Sequence, residues 1–222
     1  MVKEEFERTE VQFDMDTRIV VEDPRKVSDS QIISLNGITA RCFGKDVPLQ
    51  ETIDHIGEAE VLSLLMIKGD IRGYSLNSGL VLNETPVNYF GSGFIDPSLH
   101  DKGYYGLLNR HRASLIKYMD SVIPRDVIMT RTQNPKVYRA FNRLCLESGR
   151  IISPSFDCKV DEESLAIARA FFGGCTDGQI CNDVYGRELM ASTPKPDDAT
   201  RKVMGQLDVS LGDAIILVGR RI

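Results

Sequence analysis

The chain has 222 residues, 42% of them hydrophobic and 27% charged, with a formal net charge of -5 and no tryptophan. That balance suits one domain with a full core, and it excludes a general nucleic-acid binder, which would carry a basic stripe. No apolar run approaches the ~20 residues of a membrane span, and the charged start "MVKEEFERTEVQFDMD" has no signal-peptide core.

The expectation is a cytoplasmic protein with no membrane and no nucleic-acid partner. Five cysteines, Cys42, Cys145, Cys158, Cys175 and Cys181, are scattered without a CxxC pair. They read as free thiols in a reducing compartment, with neither a disulfide nor a metal at Cys175 and Cys181.

Residues 1–16 are charged and weakly patterned, and read as a disordered start or an edge strand. "TRIVVEDP" (17–24) is a strand stopped by Pro24. "SDSQIISLNGITARCFG" (28–44) has a capping residue, helical apolar spacing and a closing glycine, which predicts an amphipathic helix. "PLQETIDHIGEA" (48–59) predicts a second, shorter one. The period then changes. Apolar or alternating runs near 60–67, 71–83 and 87–96, separated by "KGD" and "NETP", predict a three-strand antiparallel meander.

A helix follows from Tyr104 to about Asp120, then a buried strand over 125–133. "NPKVYRAFNRLCLESG" (134–149) is a helix with Asn134 as cap, Pro135 at its first position and Gly149 as its stop. A strand over 150–156, a capped helix over 161–173, a long polar stretch rich in glycine and proline, and a final strand over 212–220 complete the chain. This order predicts a mixed α/β sheet with helices on both faces.

The turn in "SGFIDPSLHDKGYYGLL" (92–108) carries the chemistry. Glycine costs a helix roughly 0.5–1 kcal/mol against alanine, yet Gly103 and Gly106 stand where one begins. A strand, a glycine turn and a helix start together offer unpaired main-chain N–H groups and a positive dipole end, an anion site suited to phosphate. His100 and Lys102 could add positive charge. The alternative is a turn that only closes the strand–helix connection. The spacing is neither a dinucleotide fingerprint nor a P-loop.

These residues resemble the GNAT superfamily of acyl-CoA-dependent N-acyltransferases. Its motif, Gln/Arg-x-x-Gly-x-Gly/Ala after a strand ending much like "FIDPS", falls on His100, Gly103 and Tyr105. Gly106 and Leu108 stand where small residues and leucine are common. The likeness runs over 17–156 and the last strand. It implies a GNAT-like central mixed sheet, largely antiparallel, in one domain over 1–222 with a helical or loop insertion near 157–210. It also implies acetyl-CoA or another acyl-CoA as co-substrate, no metal, and an amine of a small molecule or protein as acceptor.

Residue by residue, the resemblance implies CoA contacts at Asp101, Lys102, Gly103, Tyr104, Tyr105 and Gly106. Phe94 and Ile95 would run beside the pantetheine, and Asn134 would match the family's asparagine. Two positions depart, His100 for Gln or Arg and Tyr105 for a small residue whose bulk would narrow the cradle.

Acyl transfer also needs an acid for the departing thiolate. Many family members use a tyrosine four residues before the glycine that ends the helix, and here that position is Cys145. Tyr138, seven residues earlier, shares its helix face, so Tyr138 and Cys145 are the candidate catalytic residues, with a solvent proton or simple packing as alternatives. No base is assigned. Asp96 reads as ordering the turn before Pro97, His111 with Arg110, Arg112 and Lys117 as a solvated face, and His55 as surface. Tyr74, Tyr89 and Phe90 are core residues or an acceptor pocket lining. The 157–210 stretch covers the acceptor site or joins a homodimer. The competing functions are a regulatory acyl-CoA-binding module on the same fold and a domain whose glycine turn is purely structural.

Overall fold

The computed structural model describes residues 9–115 and 126–221. Its strands are β1 (Thr9–Gln12), β2 (Thr17–Glu22), β3 (Val61–Ile67), β4 (Asp70–Leu82), β5 (Thr85–Ile95), β6 (Val127–Thr132), β7 (Ile151–Ser153), β8 (Ile180–Cys181) and β9 (Ala214–Arg220). Its helices are α1 (Asp29–Phe43), α2 (Leu49–Gly57), α3 (Tyr104–Ala113), α4 (Pro135–Glu147), α5 (Glu162–Phe171) and the short α6 (Arg201–Met204). The nine strands form one mixed, largely antiparallel sheet. The chain divides into two units, Met1–Gly79 with Phe90–Val122, and Leu80–Tyr89 with Ile123–Ile222.

In the first unit the strands run β1-β2-β3-β4 and then the far half of β5. The start of the chain supplies an edge strand, since β1 pairs antiparallel with β2. Alternation decides what each face holds. Val20, Leu62, Leu64, Tyr74 and Leu76 meet Leu35 and Ile38 of α1 and Ile56 of α2 on one side. Ile19, Leu65 and Ile95 meet Leu108 of α3 on the other. Helix α1 begins and ends as its sequence asks. Ser28 and Gln31 form a reciprocal capping box, and Gly44 closes the helix at φ 68°.

The second unit holds the near half of β5, then β6, β9 and β7, with β8 also on β9. Strand β9, "AIILVGR", is buried over its first six residues, as a strand covered on both faces must be. Helix α5 packs Ile167 and Ala168 on one face, against Met129, Ile216 and Val218. On the other, α4 sets the Cys145 sulfur against Gly219, where a Cβ would collide with it.

Two expectations need correction or a limit. Cys175 and Cys181 are joined by a disulfide, so only Cys42, Cys145 and Cys158 are free. The reason is register: the two residues face each other across an antiparallel bridge, with Cα atoms 4.3 Å apart. A tight turn sets that register, Thr176 N–H donating to Ile180 O at 2.8 Å and Gln179 N–H to Thr176 O at 2.9 Å. Helix α3 closes at Ala113, and residues 116–120, over which the expected helix continues, lie outside the described residues. Among the described residues no helix is long and apolar enough to cross a membrane.

Candidate functional site

Strand β5 ends at Ile95, a short 3-10 turn spans Pro97–Leu99, and α3 starts after Gly103. Asp101 (φ 60°) and Gly103 (φ 84°) both adopt the left-handed conformation. Gly103 is the N-cap of α3 and no side chain caps that end. The first main-chain bond of the helix runs from Leu107 N–H to Gly103 O at 3.1 Å, so the amides before it have no intrahelical acceptor. A Cβ on Gly103 would meet nothing within 4 Å. The glycine is therefore there for its φ, and the space above it is open. Helices α1, α4 and α5, by contrast, are each capped by a side chain.

Around the turn the charges are ordered. Asp96 accepts from the Ser98 amide at 3.0 Å and hydroxyl at 2.7 Å, and from Arg41 Nε at 3.2 Å and Nη2 at 3.0 Å. Arg72 Nη2 stands 3.5 Å from its other oxygen. Burial pushes the Asp96 carboxyl up, but the Ser98 and Arg41 hydrogen bonds outweigh it and hold the pKa at about 2. Asp96 is thus a structural anion. The exposed His100 turns its Nε2 to Ile95 O at 3.0 Å, an oxygen that also accepts from Cys42 Sγ at 3.2 Å. Lys102 is exposed. Arg110 lays Nη1 beside Gly106, 3.5 Å from where a Cβ would be.

Tyr105 does not close the turn. Its ring packs with Ile19, Leu65, Ile95 and Leu108, and its hydroxyl pKa is raised, chiefly by burial. Arg112 and His111 are buried, at 2% and 8% exposure, which corrects their reading as a solvated face. Lys117 lies outside the described residues. Leu108 and Arg112 stand four residues apart on one stripe of the helix and both are buried; that spacing is the signal for an inward Arg112.

Helix α4 carries the remaining candidates. Asn134 caps it, accepting from Lys136 N–H at 2.9 Å, while its Nδ2 donates to Met190 Sδ at 3.6 Å. Tyr138 and Cys145 are both 0% exposed. The Tyr138 hydroxyl donates to Pro154 O at 2.8 Å, and its ring lies 5.1 Å from that of Phe156. Burial pushes both groups up, the Cys145 thiol to about 12.

No model of a protein family matches the sequence, and no curated protein is similar to it in sequence. Solved structures are similar in shape. Ard1 from Thermoplasma volcanium is 12% identical, with a TM-score of 0.52 over 92% of this chain and 98% of that one. The ribosomal-protein-S18-alanine N-acetyltransferase from Escherichia coli is also 12% identical, with a TM-score of 0.51 over 92% of this chain and 95% of that one. The chain has the GNAT fold.

On that GNAT frame the expected residues fall into two groups. In the first unit, Phe94 and Ile95 end β5 and Asp101–Gly106 form the turn and first helical residues beyond it. Phe94 turns its ring away, to Phe43 at 5.2 Å and Tyr74 at 5.3 Å, so a ligand along β5 at this point would meet main chain. In the second unit, Asn134, Tyr138 and Cys145 share α4. Tyr74 bonds to Thr39 Oγ1 at 2.5 Å, Phe90 lies under Arg112 and Tyr89 packs on Phe171; all three have packing roles. Among the described residues no cluster of three or more His, Cys, Asp or Glu could hold a metal ion.

Proposed function

We propose that this chain is an N-acyltransferase that moves an acetyl or other acyl group directly from acyl-CoA to an amine. The observation that carries the reading is the uncapped start of α3 behind Gly103, set after a β-strand on the GNAT fold. The amides of Asp101–Gly106 would receive the CoA pyrophosphate, because a helix N-terminus favours an anion and Gly103 keeps the approach open. Lys102 and Arg110 would add positive charge, and Phe94 and Ile95 would line the rest of the donor. Tyr105 leaves the cradle its width, since its ring is turned inward.

In the reaction, the neutral amine attacks the thioester carbonyl, the C–N bond forms, the C–S bond breaks, and the thiolate leaves. The acceptor nitrogen gives up one proton, and the thiolate takes one. Tyr138 and Cys145 are the helix-borne groups that could supply the second proton. Tyr138 would first have to release Pro154 O, and both side chains are enclosed, so we assign that proton to solvent. A thiolate is a stable enough leaving group for this assignment. The acceptor would be a small-molecule or protein amine; the Escherichia coli neighbour, by its name, acts on a protein alanine.

The enclosure of Tyr138 and Cys145 favours one second reading, an acyl-CoA-binding regulatory module with little catalysis. Thermal denaturation with acetyl-CoA tests what the two readings share. Ligand at 100 times its dissociation constant stabilises by ~2.7 kcal/mol, an easily measured rise in Tm. No rise at millimolar acetyl-CoA would overturn both. Release of CoA with an amine panel then separates enzyme from module.

A further inference from the structure

Arg112 heads the fully buried side chains among the described residues, and a buried charge survives only when it is well hydrogen-bonded. Its Nε donates to Asn77 Oδ1 at 3.0 Å. Nη2 donates to the carbonyl of Leu76 on β4 at 3.0 Å and of Gly91 on β5 at 3.3 Å. Nη1 reaches Asn109 Oδ1 at 3.5 Å, and Cζ lies 4.5 Å over the Phe90 ring. One helical side chain therefore grips main chain on two strands.

The strand beneath is shaped to admit it. Phe90 and Gly93 both meet Arg112, although residues three apart in a regular strand point to opposite faces. Beyond Gly93 the alternation is regular. Ile95 packs with Leu108 of α3, and Phe94 lies on the other face against Phe43 and Tyr74. The extra residue therefore falls at Gly91 and Ser92, which is a β-bulge. A Cβ on Gly93 would stand 2.6 Å from Arg112 Nη1, so the guanidinium fits because that residue is glycine. The hydroxyl of Tyr105, in the first turn of α3, lies beside the same glycine, 3.7 Å from where a Cβ on Gly93 would be. A chain of contacts thus joins the glycine turn to the bulge.

We propose that Arg112 is a positioning residue: it fixes the Gly91–Gly93 bulge relative to the turn at Gly103, so that the acyl arm of the donor meets ordered main chain while the turn holds its phosphates. The proposal rests on the acyl-CoA reading above. A core arginine with a purely structural role would lower stability when replaced and leave donor contacts alone.

Amide chemical shifts separate the two. Acetyl-CoA added to the parent protein is expected to move the resonances of Gly91–Gly93 and of Gly103–Gly106, whereas ADP, which has a pyrophosphate and no acyl arm, moves the second set alone. In Arg112→Met the acetyl-CoA response at Gly103–Gly106 persists and that at Gly91–Gly93 is lost; Arg112→Lys, which keeps a donor, restores part of it. If Arg112→Met does not fold, Gly93→Ala, whose methyl group displaces the guanidinium, takes its place with the same expected pattern. Responses in the variant equal to those of the parent at both stretches would overturn the inference alone. So would a parent that responds at Gly103–Gly106 but not at Gly91–Gly93. A parent silent at both would remove the acyl-CoA reading and this inference with it.

Discussion

Arg41 on α1 and Asp96 at the end of β5 are locked side by side, Nη2 and Nε of the arginine 3.0 and 3.2 Å from one carboxylate oxygen. The pair fixes where β5 stops and the turn toward Gly103 begins. Its carboxyl, held at about 2 against an ordinary 3.8, ties that anchor to pH. A depressed carboxyl contributes stability that is fully present above its unfolded pKa and is lost as pH falls through the folded one. The contribution should fade between about pH 4 and pH 2. With Arg41 half exposed, it amounts to about 1–2 kcal/mol. Urea midpoints for parent and Asp96→Asn across this window check it, and the variant should show the flatter profile.

Gly103 and Gly106 should respond in opposite directions. Gly103 holds a φ of 84°, which costs an L-residue roughly 1–2 kcal/mol. Gly103→Val is therefore expected to lower Tm, and its branched side chain should also obstruct phosphate at the amides. Gly106 lies inside the helix, where a Cβ makes only ordinary contact with Arg110 at 3.5 Å. Gly106→Ala should stabilise by up to about 1 kcal/mol. Calorimetric titration of CoA on folded Gly103→Val decides the functional half; unchanged affinity would move the phosphate site elsewhere.

Tyr138→Phe should cost stability more than rate. The lost hydroxyl leaves the Pro154 carbonyl without its bond, a penalty of about 1–3 kcal/mol for a buried acceptor. If solvent protonates the thiolate, acetyl transfer by Tyr138→Phe and Cys145→Ser stays near the parent rate once an acceptor is found. A loss of about a hundredfold or more, the scale of general acid catalysis, would reassign the proton to whichever residue produced it.

The Cys175–Cys181 bridge should be visible in the thiol count. Titration of denatured, unreduced protein is expected to find the three free cysteines, Cys42, Cys145 and Cys158. A loop this short gives a stabilisation of about 2 kcal/mol in the chain-entropy model, so reductant should lower Tm by roughly 4–8 °C. Five reactive thiols in the untreated protein would contradict the bridge.

Local signals were enough for most of the elements and for the turn, though not for β8 and α6, which lie in the stretch read as a long polar one. Ser28 with Gly44, Asn134 with Pro135, and Asp161 mark helix boundaries through bonds within a few residues of themselves, so the chain order of strands and helices is legible in the sequence. Gly103 is legible as a glycine that keeps main chain open to an anion; its left-handed φ, which only glycine adopts freely, is a finding of the structure. What the sequence left open depends on partners far along the chain. Arg112 reads as solvated because its neighbours Arg110 and His111 are polar, and its acceptors on β4 and β5 are 35, 36 and 21 positions away. Cys175 and Cys181 are the exception: the tight turn that sets them opposite one another is local, but no spacing motif marks it in the sequence. The bulge at Gly91 and Ser92 is a matter of which face each residue takes, and that is settled when the sheet packs against α3. Propensity and capping act over one turn; burial and register act across the sheet, and they decided the interior of this protein.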